Sequence, residues 1–297
     1  MSEQELRIDG ATRIYGILGH PVRSSLSPAM HNAAFRALGI NAAYVPFPVS
    51  PEHFPEVVRA LLLAGVSGFN LTVPHKIAIL PLLADITPEA RAIGAVNTVR
   101  CENGSMAATN TDAEGFRLSL ERDLAWQPAG KRVLLLGAGG AARAIAFSLL
   151  QAGLGELGIA NRTPARAEAL AADCRLAQAG SKVPAQPGTK VGALELGATA
   201  GWAPDLLVNA TSVGMGDGKN PVELAGLKVR EAVLDIVYTP AETPLLAEAA
   251  RLGIARTNGL GMLLYQGSLA FRFWTGQEAP LEVMRAALEG GLEARKS

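Results

Sequence analysis

Short apolar runs alternate with helix-length amphipathic stretches along almost the whole chain. Near the start, "IYGILG", "AAYVPFPV" and "GFNLTV" have the length and the β-branched or aromatic content of strands, and the stretches at 28–39 and 51–64 read as helices. "AVNTVR", a polar turn "CENGS" and then "MAATNT" read as a hairpin or a sheet edge. A helix from Asp112 to about Leu124 runs into "WQPAGK", a Pro/Gly break, beyond which "RVLLLGAGGAARAIAFSLLQAG" opens a fresh strand, turn and helix. The next apolar run ends at Asn161, strands resume at "DLLVNAT" and "AVLDIVY", and residues 260–290 are mostly helical. The stretch 178–204, rich in Gly, Ala and Pro and weakly periodic, reads as a variable excursion. This alternation is the pattern of βα units around a parallel sheet, so the expected class is α/β. The break after the Asp112 helix puts a domain boundary between Asp112 and Lys131.

Composition narrows the function classes. A chain of 297 residues, 49% of them apolar, has material for two ordinary cores. Zero net charge leaves no footprint for nucleic acid or an anionic membrane, and the longest apolar runs fall far short of a bilayer span. The opening "MSEQELRIDG" is polar and acidic, so no signal peptide is expected. Cys101 and Cys174 match no CxxC spacing, and His20, His31, His53 and His75 have no metal-ligand spacing. A cytoplasmic protein without a metal is expected.

In "RVLLLGAGGAARA", Gly137, Gly139 and Ala142 fit G-x-G-x-x-G/A after a strand and at the start of a helix. Gly137 permits a tight turn, Gly139 lets the backbone approach a pyrophosphate, and the phosphates meet the N–H groups and dipole of the helix N-terminus. Such a turn alone also occurs in unrelated α/β domains. The following strand adds information, because it ends at Asn161 about 24 residues on, where a dinucleotide site places its ribose reader. An acid there would hold the hydroxyls of NAD and repel the 2′-phosphate of NADP. This chain has Asn161, Arg162 and Thr163, followed by Arg166. Guanidiniums can also be solvated residues at a helix start. After a glycine fingerprint, the triplet favours NADP, since Arg offers paired donors to a phosphate.

The first half carries polar residues where a plain core would not. In "VRSSLSPAMHNAAF", Ser27 before Pro28 reads as a helix N-cap, and the hydroxyls of Ser25 and Ser27 at a helix N-terminus also suit a carboxylate. "GFNLTVPHK" puts Thr72 on a strand ending at Pro74, then offers Lys76. Asn97 lies inside the apolar strand "GAVNTV", where an amide needs partners, and Asp112 opens a helix. His75, beside Lys76, reads as a packing or surface histidine.

The ordered set "SSLSP", "NLTVPHK", "GAVNT", "NTDAEGF", "GAGGAARA", "NRT", "NATSVGM", "DIVY" and "NGLGMLLYQG" resembles the shikimate dehydrogenase family, from about residue 12 to residue 276. The resemblance implies an α/β substrate-binding domain (1–113), a Rossmann-type NADP-binding domain with a parallel sheet (114–258) and C-terminal helices returning to the first domain (259–297). It implies reversible NADPH-dependent reduction of 3-dehydroshikimate in the aromatic amino acid pathway, by a monomer or homodimer. Ser25 and Ser27 would hold the substrate carboxylate, and Thr72 and Asn97 its hydroxyls. Lys76 would be the catalytic acid or base with Asp112 as partner, and Tyr238 and Gln266 would complete the pocket. NADP would be held by Gly137, Ala138, Gly139, Gly140 and Ala141, by Asn161, Arg162, Thr163 and Arg166, and near Ile236 and Gly259. Ala113 and Asn258 depart from the family's usual Gly and Asp without removing a proposed functional group.

The chemistry agrees with that assignment. Hydride transfer to a ketone develops negative charge on oxygen, which needs a proton donor and a cation, and a carboxylate-positioned lysine supplies both. Two other readings remain: a quinate/shikimate dehydrogenase-like paralogue of broader substrate or cofactor range, and a non-catalytic NADP or metabolite sensor. A sensor could spare Lys76 or Asp112, and this chain retains both.

Overall fold

The computed structural model describes residues 8–180 and 188–295. The first half runs β1 (Arg13–Gly19), α1 (Ser27–Ala37), β2 (Ala42–Pro48), α2 (Phe54–Leu63), β3 (Gly68–Leu71), α3 (His75–Ala78), β4 (Asp85–Ile86), α4 (Pro88–Ile93), β5 (Thr98–Glu102) and β6 (Ser105–Thr109). There follow α5 (Asp112–Asp123), β7 (Arg132–Leu136), α6 (Gly140–Gln151), β8 (Glu156–Ala160), α7 (Pro164–Gly180), β9 (Lys190–Leu194), β10 (Leu206–Asn209), α8 (Leu224–Leu227), β11 (Ala232–Asp235), α9 (Pro244–Arg251) and β12 (Ala255–Asn258). The chain ends in α10 (Leu260–Thr275) and α11 (Leu281–Glu293). It divides into two compact units, Met1–Thr111 with Leu263–Ser297, and Asp112–Met262.

The first unit is built on a mixed sheet of strand order β2-β1-β3-β5-β6-β4. β1 pairs in parallel with β2 and β3, whereas β3–β5 and β5–β6 are antiparallel. The β5–β6 hairpin closes on Asn103 and Gly104, both at positive φ (50° and 74°), the backbone that an Asn-Gly turn favours. Leu18, Phe69, Leu71 and Val99 pack with Phe54 and Val58 of α2. Tyr15, three positions from Leu18 and so on the other side of β1, enters an aromatic layer with Phe35 of α1 and Trp274 of α10, at ring separations of 5.3 and 5.1 Å.

The second unit holds a wholly parallel sheet of order β12-β11-β10-β7-β8-β9. The chain starts centrally at β7, steps outward to β8 and β9, returns beside β7 at β10 and steps out the other way. That is the doubly wound order of dinucleotide-binding domains, and its direction reverses between β7 and β10. Both faces are covered. Val133 and Leu135 pack with Phe116, Leu149 and Leu170 from α5, α6 and α7, while Leu134 and Leu136 pack with Leu224, Leu245 and Leu246 from α8 and α9. Double burial is why these strands read as continuous apolar runs instead of alternating ones.

Several local expectations are corrected. β3 stops at Leu71, before Thr72, because the Thr72 carbonyl accepts the His75 N–H at 2.8 Å and turns the chain ahead of Pro74. Lys76 therefore lies on α3. Asn97 precedes β5 instead of lying within it. Ser27 is the first residue of α1, not its N-cap; Leu26 takes that place, and the Ser25 hydroxyl accepts the Ser27 N–H at 3.2 Å. The excursion 178–204 contains β9, the edge strand of the second sheet, whose residues are only exposed or half-buried and so carry little hydrophobic signal. Residues 181–187 of that stretch lie outside the described residues.

Candidate active site

In the first unit the polar residues gather where β3 and β5 end and begin. Gly19 has no room for a side chain, because the Thr72 methyl group fills the space a Cβ would need, so Thr72 lies directly against the end of β1. Lys76 is half-buried on α3, and its carbonyl accepts the Val96 N–H at 2.8 Å, which ties the lysine's helix to the segment leading into Asn97. Asn97 is 2% exposed and is the hub of the cluster. Its Oδ1 accepts the Thr111 N–H at 2.8 Å and the Thr98 hydroxyl at 3.0 Å, and its Nδ2 donates to Thr111 Oγ1 at 2.9 Å and Gln266 Oε1 at 3.2 Å. Gln266, on α10, is anchored in turn by Nε2 donating to the Leu263 carbonyl at 2.8 Å. Ser25 and Ser27 sit half-buried and buried at the start of α1.

His75 stays out of this cluster. Its ring stacks on Phe54 at 4.1 Å and its Nε2 lies 2.7 Å from the Val49 carbonyl, the contacts of a packing histidine.

In the second unit the candidate groups line the carboxyl ends of the parallel strands. Gly137 follows β7 at φ +112°, where a Cβ would meet the Ala210 carbonyl at 2.9 Å, so only glycine fits beside the end of β10. Ala138 leads to Gly139, the exposed N-cap of α6, which makes no side-chain cap; Gly140 and Ala141 begin the helix. Its first N–H groups thus have no capping side chain at the strand reversal. At the end of β8, Asn161 Nδ2 donates to the Thr163 carbonyl at 2.9 Å and shapes the turn. Arg162 and Arg166 are exposed, and among the described residues neither is paired with a carboxylate. An uncapped helix start beside an essential glycine and two unpaired guanidiniums fits a pyrophosphate and a further phosphate monoester.

A buried tie that sequence reasoning missed fixes the neighbouring loops. Asp235, at the end of β11, accepts Asn209 Nδ2 at 2.9 Å, the Val237 N–H at 3.0 Å and the Thr243 hydroxyl at 2.7 Å. Burial pushes its carboxyl above the usual carboxylate range, against the pull of those donors. Asn209 Oδ1 accepts the Thr211 N–H and hydroxyl, so one network holds the loops after β10 and β11. The Ile236 carbonyl fills the space a side chain on Gly259 would need, and Tyr238 follows half-buried. The signal was available in outline: "LLVN" and "AVLD" are apolar strands closed by a single polar residue.

The expected partners Lys76 and Asp112 are divided between the units, with Asp112 buried as the first residue of α5. Among the described residues no group of His, Cys, Asp and Glu could hold a metal ion, and no helix is long and apolar enough to cross a membrane.

Known proteins match along nearly the whole chain. Residues 17–99 match the family model for the shikimate dehydrogenase substrate binding domain, residues 120–213 that for shikimate/quinate 5-dehydrogenase, and residues 259–289 that for the shikimate 5′-dehydrogenase C-terminal domain. A shikimate dehydrogenase (NADP(+)) of Citrifermentans bemidjiense is 48% identical over 97% of this chain and 98% of its own. A crystal structure of shikimate dehydrogenase in complex with NADP+ is 40% identical with a TM-score of 0.86, covering 96% of this chain and 98% of that one. The shikimate 5-dehydrogenase of Thermus thermophilus, in complex with NADP(H) and shikimate, is 39% identical with a TM-score of 0.82, covering 95% of this chain and 100% of that one.

Proposed function

The chain belongs to the shikimate dehydrogenase family, and from that premise we propose how its residues divide the reaction. It is an NADP-dependent oxidoreductase that reversibly reduces 3-dehydroshikimate to shikimate, a step of aromatic amino acid biosynthesis. NADPH, when bound, supplies the hydride. The backbone from Gly137 to Ala141 holds the pyrophosphate, Asn161, Arg162, Thr163 and Arg166 hold the 2′-phosphorylated ribose, and Ile236 and Gly259 face the nicotinamide. Ser25 and Ser27 hold the substrate carboxylate. Thr72, Asn97, Tyr238 and Gln266 orient its hydroxyls, so that the ketone oxygen meets Lys76. Lys76 delivers a proton to that oxygen and its cation offsets the charge that develops there, with Asp112 fixing the ammonium.

The observation that carries the cofactor reading is the end of β8, where an amide replaces the acid an NAD site needs and two exposed guanidiniums have no carboxylate partner among the described residues. The free thiols of Cys101 and Cys174 support a reducing compartment such as the cytoplasm. Initial rates of cofactor reduction, with shikimate and with quinate, each against NADP+ and NAD+, test the reading. Strong activity is expected only with shikimate and NADP+. Comparable rates with NAD+ would refute the role given to Arg162, and comparable rates with quinate would move the chain to the broader paralogues.

A further inference from the structure

We propose that Tyr44 and Asn70 are positioning residues for the substrate, acting through a chain of buried hydrogen bonds that ends on Asn97 and Gln266. The proposal rests on the reading of those two amides as substrate contacts. The Tyr44 hydroxyl lies 2.8 Å from Asn70 Oδ1, Asn70 Nδ2 lies 3.1 Å from the Asn97 carbonyl and 3.0 Å from Thr98 Oγ1, and Thr98 Oγ1 lies 3.0 Å from Asn97 Oδ1. Tyr44, Asn70, Thr98, Asn97 and Gln266 are all less than a tenth exposed.

Fixed backbone groups set the orientation of both asparagine amides. The Asn97 carbonyl can only accept, so the Asn70 atom facing it is the NH2, and the amide oxygen is left facing Tyr44, which must donate. The second Asn70 hydrogen goes to Thr98 Oγ1, which faces Asn97 Oδ1 at 3.0 Å and Thr111 Oγ1 at 3.3 Å, the shorter contact leading on to Asn97. The Thr111 N–H can only donate and lies 2.8 Å from Asn97 Oδ1, which leaves the Asn97 NH2 aimed at Gln266 Oε1. The Tyr44 proton therefore fills the acceptor that the backbone leaves on Asn70 and holds its amide against Asn97 and Thr98. Tyr44 is itself held in place. Asn32 of α1 clamps its backbone with bonds of 2.9 and 2.8 Å, and its ring stacks on His31 at 4.5 Å.

The test is steady-state oxidation of shikimate by NADP+ with Tyr44→Phe, Thr98→Val, the double variant and Asn97→Ala. Tyr44→Phe keeps the ring and its packing and removes only the donor. We expect its KM for shikimate to rise about three- to tenfold, the scale of one net hydrogen bond, with kcat and the KM for NADP+ held within about twofold. If the two residues act through one chain, the double variant has a KM no higher than Thr98→Val alone. A KM unchanged by Tyr44→Phe, while Asn97→Ala raises it, overturns the positioning role and leaves the substrate reading standing. Additive effects of Tyr44→Phe and Thr98→Val also overturn the chain. An Asn97→Ala enzyme with unaltered KM removes both the proposal and the reading beneath it.

Discussion

A lysine on a four-residue helix is an unusual place to fix a proton donor, because so short a helix has little stability of its own. Here the helix is pinned by bonds on both sides of Lys76, from the His75 N–H to the Thr72 carbonyl and from the Val96 N–H to the carbonyl of Lys76 itself. With the backbone fixed in this way, truncating the side chain changes chemistry more than shape. Lys76→Ala is expected to lower kcat about 10²- to 10⁴-fold, the range of general acid–base catalysis, while the dissociation constant for shikimate changes by less than about threefold. Equilibrium binding beside single-turnover rates checks it; an equally large loss of affinity would make Lys76 a binding residue. At this scale the sequence was legible where a residue type marks a turn: Gly137 takes positive φ after β7, and Arg162 is exposed after β8. It was silent on Tyr44 and Asn70, because a polar atom inside an apolar run looks the same whether its partner is a neighbouring strand or nothing, and it showed Asp235 only in outline, as the polar residue closing an apolar strand. His75, beside Lys76, reads as a packing or surface histidine, and its stacking on Phe54 makes it a packing one.

At the scale of elements, α1 presses His31 into the aromatic layer between Tyr44 of β2 and Trp274 of α10, at 4.5 and 5.2 Å. Burial, with no hydrogen-bond partner among the described residues, pushes the imidazole down from 6.5 to about 3. The unfolded chain binds a proton below pH 6.5 that the folded chain refuses until about pH 3, so stability rises with pH across that window and falls on acidification. This one group is expected to cost about 1.4 kcal/mol between about pH 7.5 and about pH 5.5. Urea midpoints for the native chain and His31→Phe, taken at both pH values, check it: the native chain should lose that much more stability than the variant. Parallel losses would mean that His31 finds a proton-accepting partner when folded. The pattern of periods made α1, α10 and the hairpin readable, since each buries one clear face. β9 and β12 escaped because both lie at sheet edges, where few apolar side chains are needed.

Across the whole molecule, the order β12-β11-β10-β7-β8-β9 follows from a βα alternation visible in the chain, whereas the strand reversal that makes it a dinucleotide fold depends on β10 returning beside β7, a long-range pairing that no local period encodes. The proposed roles assign Arg162 to the cofactor in the second unit and Asn97 to the substrate in the first. Ligand-induced thermal shifts can separate these roles, because each ligand stabilises the folded chain by an amount set only by its own concentration relative to its Kd. At about a hundredfold excess over Kd that amount is about 2.7 kcal/mol. Losing a charge-assisted guanidinium–phosphate contact weakens NADP+ binding about 10- to 100-fold. At the same concentration the NADP+ shift of Arg162→Ala should therefore shrink to about 0.4–1.4 kcal/mol, with its shikimate shift intact. Asn97→Ala should show the reverse, keeping the NADP+ shift and losing most of that from shikimate, each variant being compared with its own ligand-free melt. If both shifts fell together in either variant, the residue would act on the folded state as a whole, and its assignment to one ligand would fail.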